Sequence, residues 1–424
     1  MTPQFFIKCA FGVKGYKLIS QTVEGDCCYV EIEAKCGDHR CPECGRRCPA
    51  YDTRPGFRAW RHLDYGRLKC FIRMRVRRVS CPEHGVRVEA VSFADPGSRY
   101  THDFESAVAY KALRQPYSSA ARELRVNWHA VESIVPRVFR RLEPNPAGRL
   151  DGIVSLGIDE TKVFGEYYMV FYDNARAQIA AILKGRSSDT IRRFLMGMMT
   201  KAQRARIKVV TADGAAFIRT TVRECLPKRV AFCLDAFHAV KWANEALDSV
   251  RKGRFRVGDY VSADMEFPDA QSRDKAITKA TKGAKFALLR GKGSRTAADG
   301  AKIAEVTKRY PAIGLAFQAK EMLADIFRGA FKVTGAAVNR FVRFCKDSGI
   351  AELKKLAKQI AARKGEIVAA VKHRASNAGT EGVNSKIQEA ITRSRGYRNV
   401  ENAIRYLMFY CSHWRKDIKL PFET

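Results

Sequence analysis

Three aspartates each close a short apolar run: "VSLGIDE" (154–160), "IKVVTAD" (207–213) and "RVAFCLD" (229–235). In the first, Val154, Leu156 and Ile158 alternate like a strand entering a core, and the strand ends on Asp159 with Glu160 behind it. A buried carboxylate is costly unless positive charge or hydrogen bonds compensate it. Successive strand residues face opposite ways, so Asp159 shares a face with Ser155 and Gly157 while Glu160 takes the other. A capping or turn role is the commoner fate of a single strand-end Asp. Asp159, Asp213 and Asp235 at neighbouring strand ends favour a different role, as oxygen ligands of a hard divalent cation such as Mg²⁺ or Mn²⁺. Two such ions about 4 Å apart activate a water or hydroxyl and stabilise the leaving oxygen in phosphoryl transfer. The metal is then the compensating charge.

A further carboxylate comes from "HRASNAGTEGVNSKIQEAITRSRGYRN" (373–399), which opens on turn residues and becomes helical. Glu381, Asn384, Ser385 and Gln388 fall on one polar stripe, beside an apolar stripe of Val383, Ile387, Ala390 and Ile391. A solvated face with a first-turn Glu on the helix dipole would read the same way.

The other metal chemistry is near the N-terminus. "CPEC" (41–44) and "CPEH" (81–84) are two knuckle-like pairs. Cys41, Cys44, Cys81 and His84 would close a tetrahedral structural zinc site with no open position for catalysis. Cys36 and Cys48 crowd the first pair and leave ligand identity there open, while Cys70 reads as core.

These residues need elements to hold them. Residues 1 to about 95 read as short strands and turns, with "GRLKCFIRMRVRRVSC" (66–81) strand-like. From Thr101 the pattern is helical. "SSAARELRVNWHAVESIVPRVFRRL" (118–142) has the spacing of a helix-turn-helix, with Ala121, Leu124 and Val131 as packing residues and Ser118 or Ser119 as the first cap. Asn127, His129, Glu132 and Ser133 would be exposed on the second helix, with Arg137, Arg140 and Arg141 following as phosphate contacts; Asn127, His129, Ser133 and the three arginines are the candidate DNA-binding set. An ordinary helical hairpin would look similar. "EPNPAGRLDG" (143–152) is a linker. Strands at 153–159, 167–173 and 178–184, then strand–helix units with strands at 207–213 and 229–235, describe a mixed sheet with helices on its faces. The chain from about 250 to 350 is mainly helical, with loops at 251–271 and 288–300, and helices continue to the end.

Length and charge set the frame. At 424 residues the chain holds several domains. Lys and Arg number 77 against 44 Asp and Glu, a net charge of +33, which points to a polyanionic partner, nucleic acid, ahead of a membrane surface. There is no signal-peptide pattern and no apolar run of membrane length. Thirteen cysteines without a secretion signal suit reduced thiols in a cytoplasm.

Taken in order, CPEC with a later CPxH, the helix-turn-helix, "GIDE", "TADG", "DAFHAVKWANEALDSVR" and "NAGTEGVNSKIQ…RGYRN" resemble the DDE transposases of bacterial insertion sequences, specifically the ISL-three group. The resemblance covers nearly the whole chain, and the last two stretches are its most specific part. It implies a multidomain protein: a zinc-binding domain (1–95), a helix-turn-helix domain (96–145) and an α/β RNase H-like catalytic core (150–250). A helical insertion (251–350) and the C-terminal helices of the core (351–424) would follow. It further implies Asp159, Asp213 and Glu381 as catalytic triad and ligands of two Mg²⁺ or Mn²⁺ ions, with Asp235, His238 and Asn384 in support. The expected partner is double-stranded DNA, both element ends and target, bound by a homodimer at the nucleoid. One departure is that "TADGAAF" has no bulky aromatic beside the second Asp. A non-catalytic zinc-bearing regulator and a structure-specific nuclease of the same fold are the alternatives.

Overall fold

The computed structural model describes residues 11–35, 39–253, 268–269, 271–272, 283–375, 378–394, 399–412 and 418–420, without the side chains at 378, 380, 381 and 394. The chain divides into two compact units, Met1–Pro146 with Ala390–Thr424, and Ala147–Glu389.

In the first unit, strands β1 (Tyr16–Glu24), β2 (Cys27–Ala34), β4 (Arg58–Arg61) and β5 (Lys69–Met74) form one sheet in the order β1-β2-β5-β4. Strands β3 (Ala50–Thr53), β6 (Arg77–Cys81) and β7 (Gly85–Val88) form a second, antiparallel one. The single strand-like stretch expected over 66–81 is thus split between two sheets. Up to the break, Cys70, Ile72, Met74 and Val76 face the core with Val30, Trp60 and Phe93; past it the alternation shifts by one, and Val79 and Cys81 face a separate cluster with Cys41 and Cys48. Three helices follow, His102–Ala112, Tyr117–Glu123 and Trp128–Leu142. Thr101 caps the first and Asn127 the third through side-chain oxygens, whereas Pro116 occupies the cap of the second, so neither Ser118 nor Ser119 serves there as expected. Between the second and third, Arg125 turns the chain at φ 54°. Residues 351–424 were expected to stay with the catalytic core, but the compact units part at Glu389 and Ala390. The physical reason is aromatic packing: on the helix Val400–Tyr410, Phe409 stacks on Phe139 with centroids 3.7 Å apart.

The second unit is built on a five-stranded sheet. Its strands are β8 (Ser155–Val163), β9 (Glu166–Asp173), β10 (Gln178–Lys184), β11 (Val209–Ala212) and β12 (Ala231–Leu234), in the order β10-β9-β8-β11-β12. The first three strands in sequence run antiparallel to one another, and β11 and β12 run parallel to β8. Helix Ala216–Cys225 crosses from β11 to β12, as parallel neighbours require. Helix Ala236–Gly253 leaves β12 and buries Ala239, Ala243, Leu247 and Val250 in a separate core. That core is shared with the helices Ala297–Arg309, Pro311–Phe327, Thr334–Asp347 and Ala351–Ala361. Most of the loop expected at 251–271 lies outside the described residues; at 288–300, residues 290–294 are exposed as expected, but 288–289 and 297–300 belong to the helices Lys285–Leu289 and Ala297–Arg309. Among the described residues no helix is long and apolar enough to cross a membrane.

Candidate active site and metal centre

Strand register brings the acids together. Ala212 pairs with Ile158, so Asp213, the next residue, stands across from Asp159 on the adjacent parallel strand. Leu234 pairs with Ala212, which puts Asp235 one strand further out. Asp159 does not end its strand as expected. β8 continues to Val163 along β9, while β11 stops at Ala212. Beyond Asp159 one edge of β8 is therefore without a strand partner, and an open edge leaves backbone carbonyls to satisfy. The helix Ala378–Ser394 supplies the donors. Asn384 Nδ2 donates to Glu160 O at 3.3 Å and Gln388 Nε2 donates to Lys162 O at 2.8 Å.

The same Asn384 amide donates to Asp159 Oδ2 at 2.8 Å, and the Glu160 amide donates to Asp159 Oδ1 at 2.8 Å. Those bonds do not fully offset desolvation at a residue only 9% exposed. Burial pushes the Asp159 carboxyl up to about 6; the Glu160 amide and His238 oppose it, and Asp213 and Asp235 add to it. Glu160, on the other face, is paired to Arg186 Nε at 2.6 Å. Asp235 is buried and accepts from His238 Nδ1 at 2.8 Å. That hydrogen bond is the main reason the His238 pKa is raised, with the charges of Asp235, Asp159 and Asp213 contributing and burial opposing.

The donor set suits a hard divalent cation. It is all carboxylate oxygen, burial raises the pKa of its central member, and Asn384 Oδ1 is a buried acceptor with no partner among the described residues. Glu381 lies within the helix one turn before Asn384, and its side chain is outside the described residues. A Cβ at Gly214 would come 2.5 Å from the indole of Trp242. Trp242 lies on the helix that carries His238, one turn on. Arg186 and Trp242 escaped the sequence reading, although Trp242 belongs to the quoted "DAFHAVKW".

In the first unit, the ligand atoms of Cys41, Cys44, Cys81 and His84 all lie within 4.8 Å of one another, and among the described residues no other group of three or more such side chains does. The Cys41–His84, Cys44–Cys81 and Cys81–His84 separations are 3.8, 3.7 and 3.6 Å. Zinc bonds of about 2.3 Å to sulfur make a tetrahedron with edges of about 3.8 Å, so the four atoms already have the spacing of a zinc shell. At Cys81, burial works against the thiolate. Hydrogen bonds from the His84 ring and the Glu83 and His84 amides overcome it and bring the thiol down to about 6. Cys48 Sγ instead faces Arg46 O, Cys70 is fully buried core, and Cys36 is outside the described residues.

On the helix Trp128–Leu142, Asn127, His129, Ser133 and Arg140 are exposed. Arg137 and Arg141, expected to contact phosphate, are half-buried and ion-paired within the unit. Arg137 Nε and Arg141 Nη1 donate at 2.7 and 2.8 Å to Glu105, which is fully buried.

Comparison with known proteins agrees with this arrangement. A family model described as "Transposase", for the DDE domain of ISL3 elements, matches residues 156–406, more than half of the chain. A model for the helix-turn-helix domain of transposase family ISL3 matches residues 89–138. A model for the zinc-finger of transposase IS204/IS1001/IS1096/IS1165 matches residues 38–84. Two curated relatives, each a transposase for insertion sequence element IS1557 from Mycobacterium tuberculosis (strains CDC 1551 / Oshkosh and ATCC 25618 / H37Rv), are 29% identical over 387 residues. Those residues are 87% of this chain and 85% of each relative. With zinc ribbon, helix-turn-helix and catalytic domain matched in order, the chain belongs to the ISL3 family of DDE transposases.

Proposed function

We propose that the chain binds the terminal inverted repeats of its own insertion sequence and cuts and rejoins DNA at the site formed by Asp159, Asp213 and Glu381. The observation that carries this is the register of β8 and β11, which sets Asp213 across from a buried, under-compensated Asp159. The sheet order β10-β9-β8-β11-β12, with two strands parallel to the first, supports reading the domain as RNase H-like. Recognition falls to residues 1–145: the zinc ribbon within 1–95 and the helix-turn-helix within 96–145. The core occupies 150–250, and a helical insertion over 251–350 separates it from the helix of Glu381 within 351–424. Homodimerisation on the paired ends and residence at the nucleoid follow from the same reading.

Asp159, Asp213 and Glu381 would hold two Mg²⁺ or Mn²⁺ ions, which when bound supply Lewis-acid stabilisation of the attacking and leaving oxygens. Asn384 orients the Asp159 carboxylate, and its amide oxygen stays available beside it. Asp235 orients the His238 ring by accepting from Nδ1, and that bond raises the His238 pKa beside the acids. Water attacks the phosphodiester at the element end and releases a 3′ hydroxyl, which then attacks target DNA. The test is incubation of purified protein with its flanking element ends, target DNA and Mg²⁺. Joined products are expected. Cleavage without joining would favour a nuclease of the same fold, and binding without cleavage a regulator.

A further inference from the structure

The turn that carries Asp213 is gripped from outside the sheet. Arg363 sits in the short link between the helices Ala351–Ala361 and Lys364–His373. Its Nη2 donates to Gly214 O at 2.8 Å, and its Nη1 donates to Gln359 O at 3.3 Å. The guanidinium lies over the indole of Trp242, 5.0 Å from the ring centroid. The ring and the guanidinium together fill the side of Gly214 where a Cβ would stand, 2.5 Å from Trp242 and 2.9 Å from Arg363 Nε. On the other side of the turn, the Ala215 amide donates to Asp213 Oδ1 at 3.0 Å.

We propose that Arg363 and Trp242 are positioning residues for the reaction, a clamp that holds the Asp213–Gly214 turn in its metal-binding geometry. This rests on the reading of Asp213 as a catalytic ligand. β11 is only four residues long and ends at Ala212, so the sheet itself holds nothing beyond that point. Asp213 must nevertheless stay near Asp159 and Asp235 although like charges repel. Each part of the clamp answers to that need. The guanidinium fixes the backbone carbonyl next to Asp213, and a planar cation on an indole face is well suited to hold that carbonyl in one direction. Glycine is required because any side chain would displace the ring. Trp242 lies one turn after His238 on the same helix, so the two acids' supports share one rigid element. Trp242 also packs against the helical core formed by 297–361, which ties the segment ahead of Glu381 to the turn of Asp213.

The test uses full-length protein with three readouts: binding of free Mn²⁺ without DNA, hydrogen exchange of the peptide covering 207–218, and cleavage of element ends. Loss of an outer support of a metal ligand costs about 10–100-fold in metal affinity or activity. In Arg363→Met, Mn²⁺ affinity and cleavage are expected to fall by that factor, exchange after Ala212 to accelerate, and binding of the ends to stay at the wild-type level. Arg363→Lys, which keeps a donor but not the stacked plane, is expected to fall between. Trp242→Phe replaces Arg363→Met if the latter does not fold, and is expected to show the same pattern. Wild-type Mn²⁺ affinity and exchange in these variants, with Asp213→Asn inactive, would remove the clamp alone. A fully active Asp213→Asn would remove the catalytic reading beneath it.

Discussion

Asp159 and Glu160 are neighbours on one strand and meet opposite partners. Glu160 finds a guanidinium in Arg186, while Asp159 is left with amide donors and a carboxyl pushed up to about 6, an acid kept short of positive charge. That asymmetry follows from the pleat and was legible in "GIDE"; the identity of Arg186, 26 positions away in a loop, was not. His62 makes the same argument for a base. It is 2% exposed, its Nδ1 shares a hydrogen bond with Thr101 Oγ1 at 2.9 Å, and burial, with Arg61 beside it, pushes its pKa down to about 4. Because the folded value lies below the unfolded one, the fold binds the neutral ring. Its contribution is intact above about pH 6.5, erodes as pH falls toward 4, and amounts to about 3 kcal/mol in full. Urea unfolding of wild type and His62→Gln across this range should therefore show the wild type losing more stability on acidification. Parallel profiles would contradict the burial argument.

At the scale of elements, the arginines of the helix Trp128–Leu142 differ in surroundings: Arg137 and Arg141 bond Glu105, and Arg140 is exposed. Glu105 is fully buried and accepts from Arg137, Arg141 and Ser98 Oγ, so removing a partner leaves an under-compensated charge inside the unit. Arg137→Ala should cost on the order of 3 kcal/mol of stability. Arg140→Ala should leave stability nearly unchanged and lower the slope of log K against log salt for end binding by about 0.9, one phosphate contact. Unfolding curves and salt titrations of both variants check this, and a salt slope that changes in Arg137→Ala but not in Arg140→Ala would reverse the assignment. Sequence periodicity found this helix and its exposed start, because 3.6-residue spacing is local. It did not find the bonds of Arg137 and Arg141 to Glu105, because Glu105 lies on another helix. It likewise read 66–81 as one strand-like stretch, since apolar residues continue on both sides of Arg77 and Arg78, where the buried positions shift from even to odd as the chain changes sheets. The zinc ligands were legible for the converse reason: a two-residue spacer is itself the geometry of half a tetrahedral shell.

Across the whole molecule, the matched zinc ribbon and helix-turn-helix lie in one compact unit and the acid-bearing sheet in the other. A net charge of +33 gives both a polyanion to share. The five strands of this sheet could be read from the chain, because short apolar runs are separated there by turns and helices. Two things could not be read. One was the overhang of β8 past Asp159, since nothing local says where a neighbouring strand stops. The other was the C-terminal helix joining the first unit through a Phe–Phe stack. The central claim remains that chemistry resides where β11 ends beside Asp159 of β8, with Asp235 and His238 in support. The direct measurement is cleavage and joining of element ends by Asp213→Asn and Asp235→Asn, with end binding followed in parallel. Loss of a metal ligand removes transition-state stabilisation and spares the recognition surface. Asp213→Asn is expected to bind the ends and neither cleave nor join, and Asp235→Asn to be slowed but measurable. An active Asp213→Asn beside an inactive Asp235→Asn would contradict the account and move the site one strand outward, to β12.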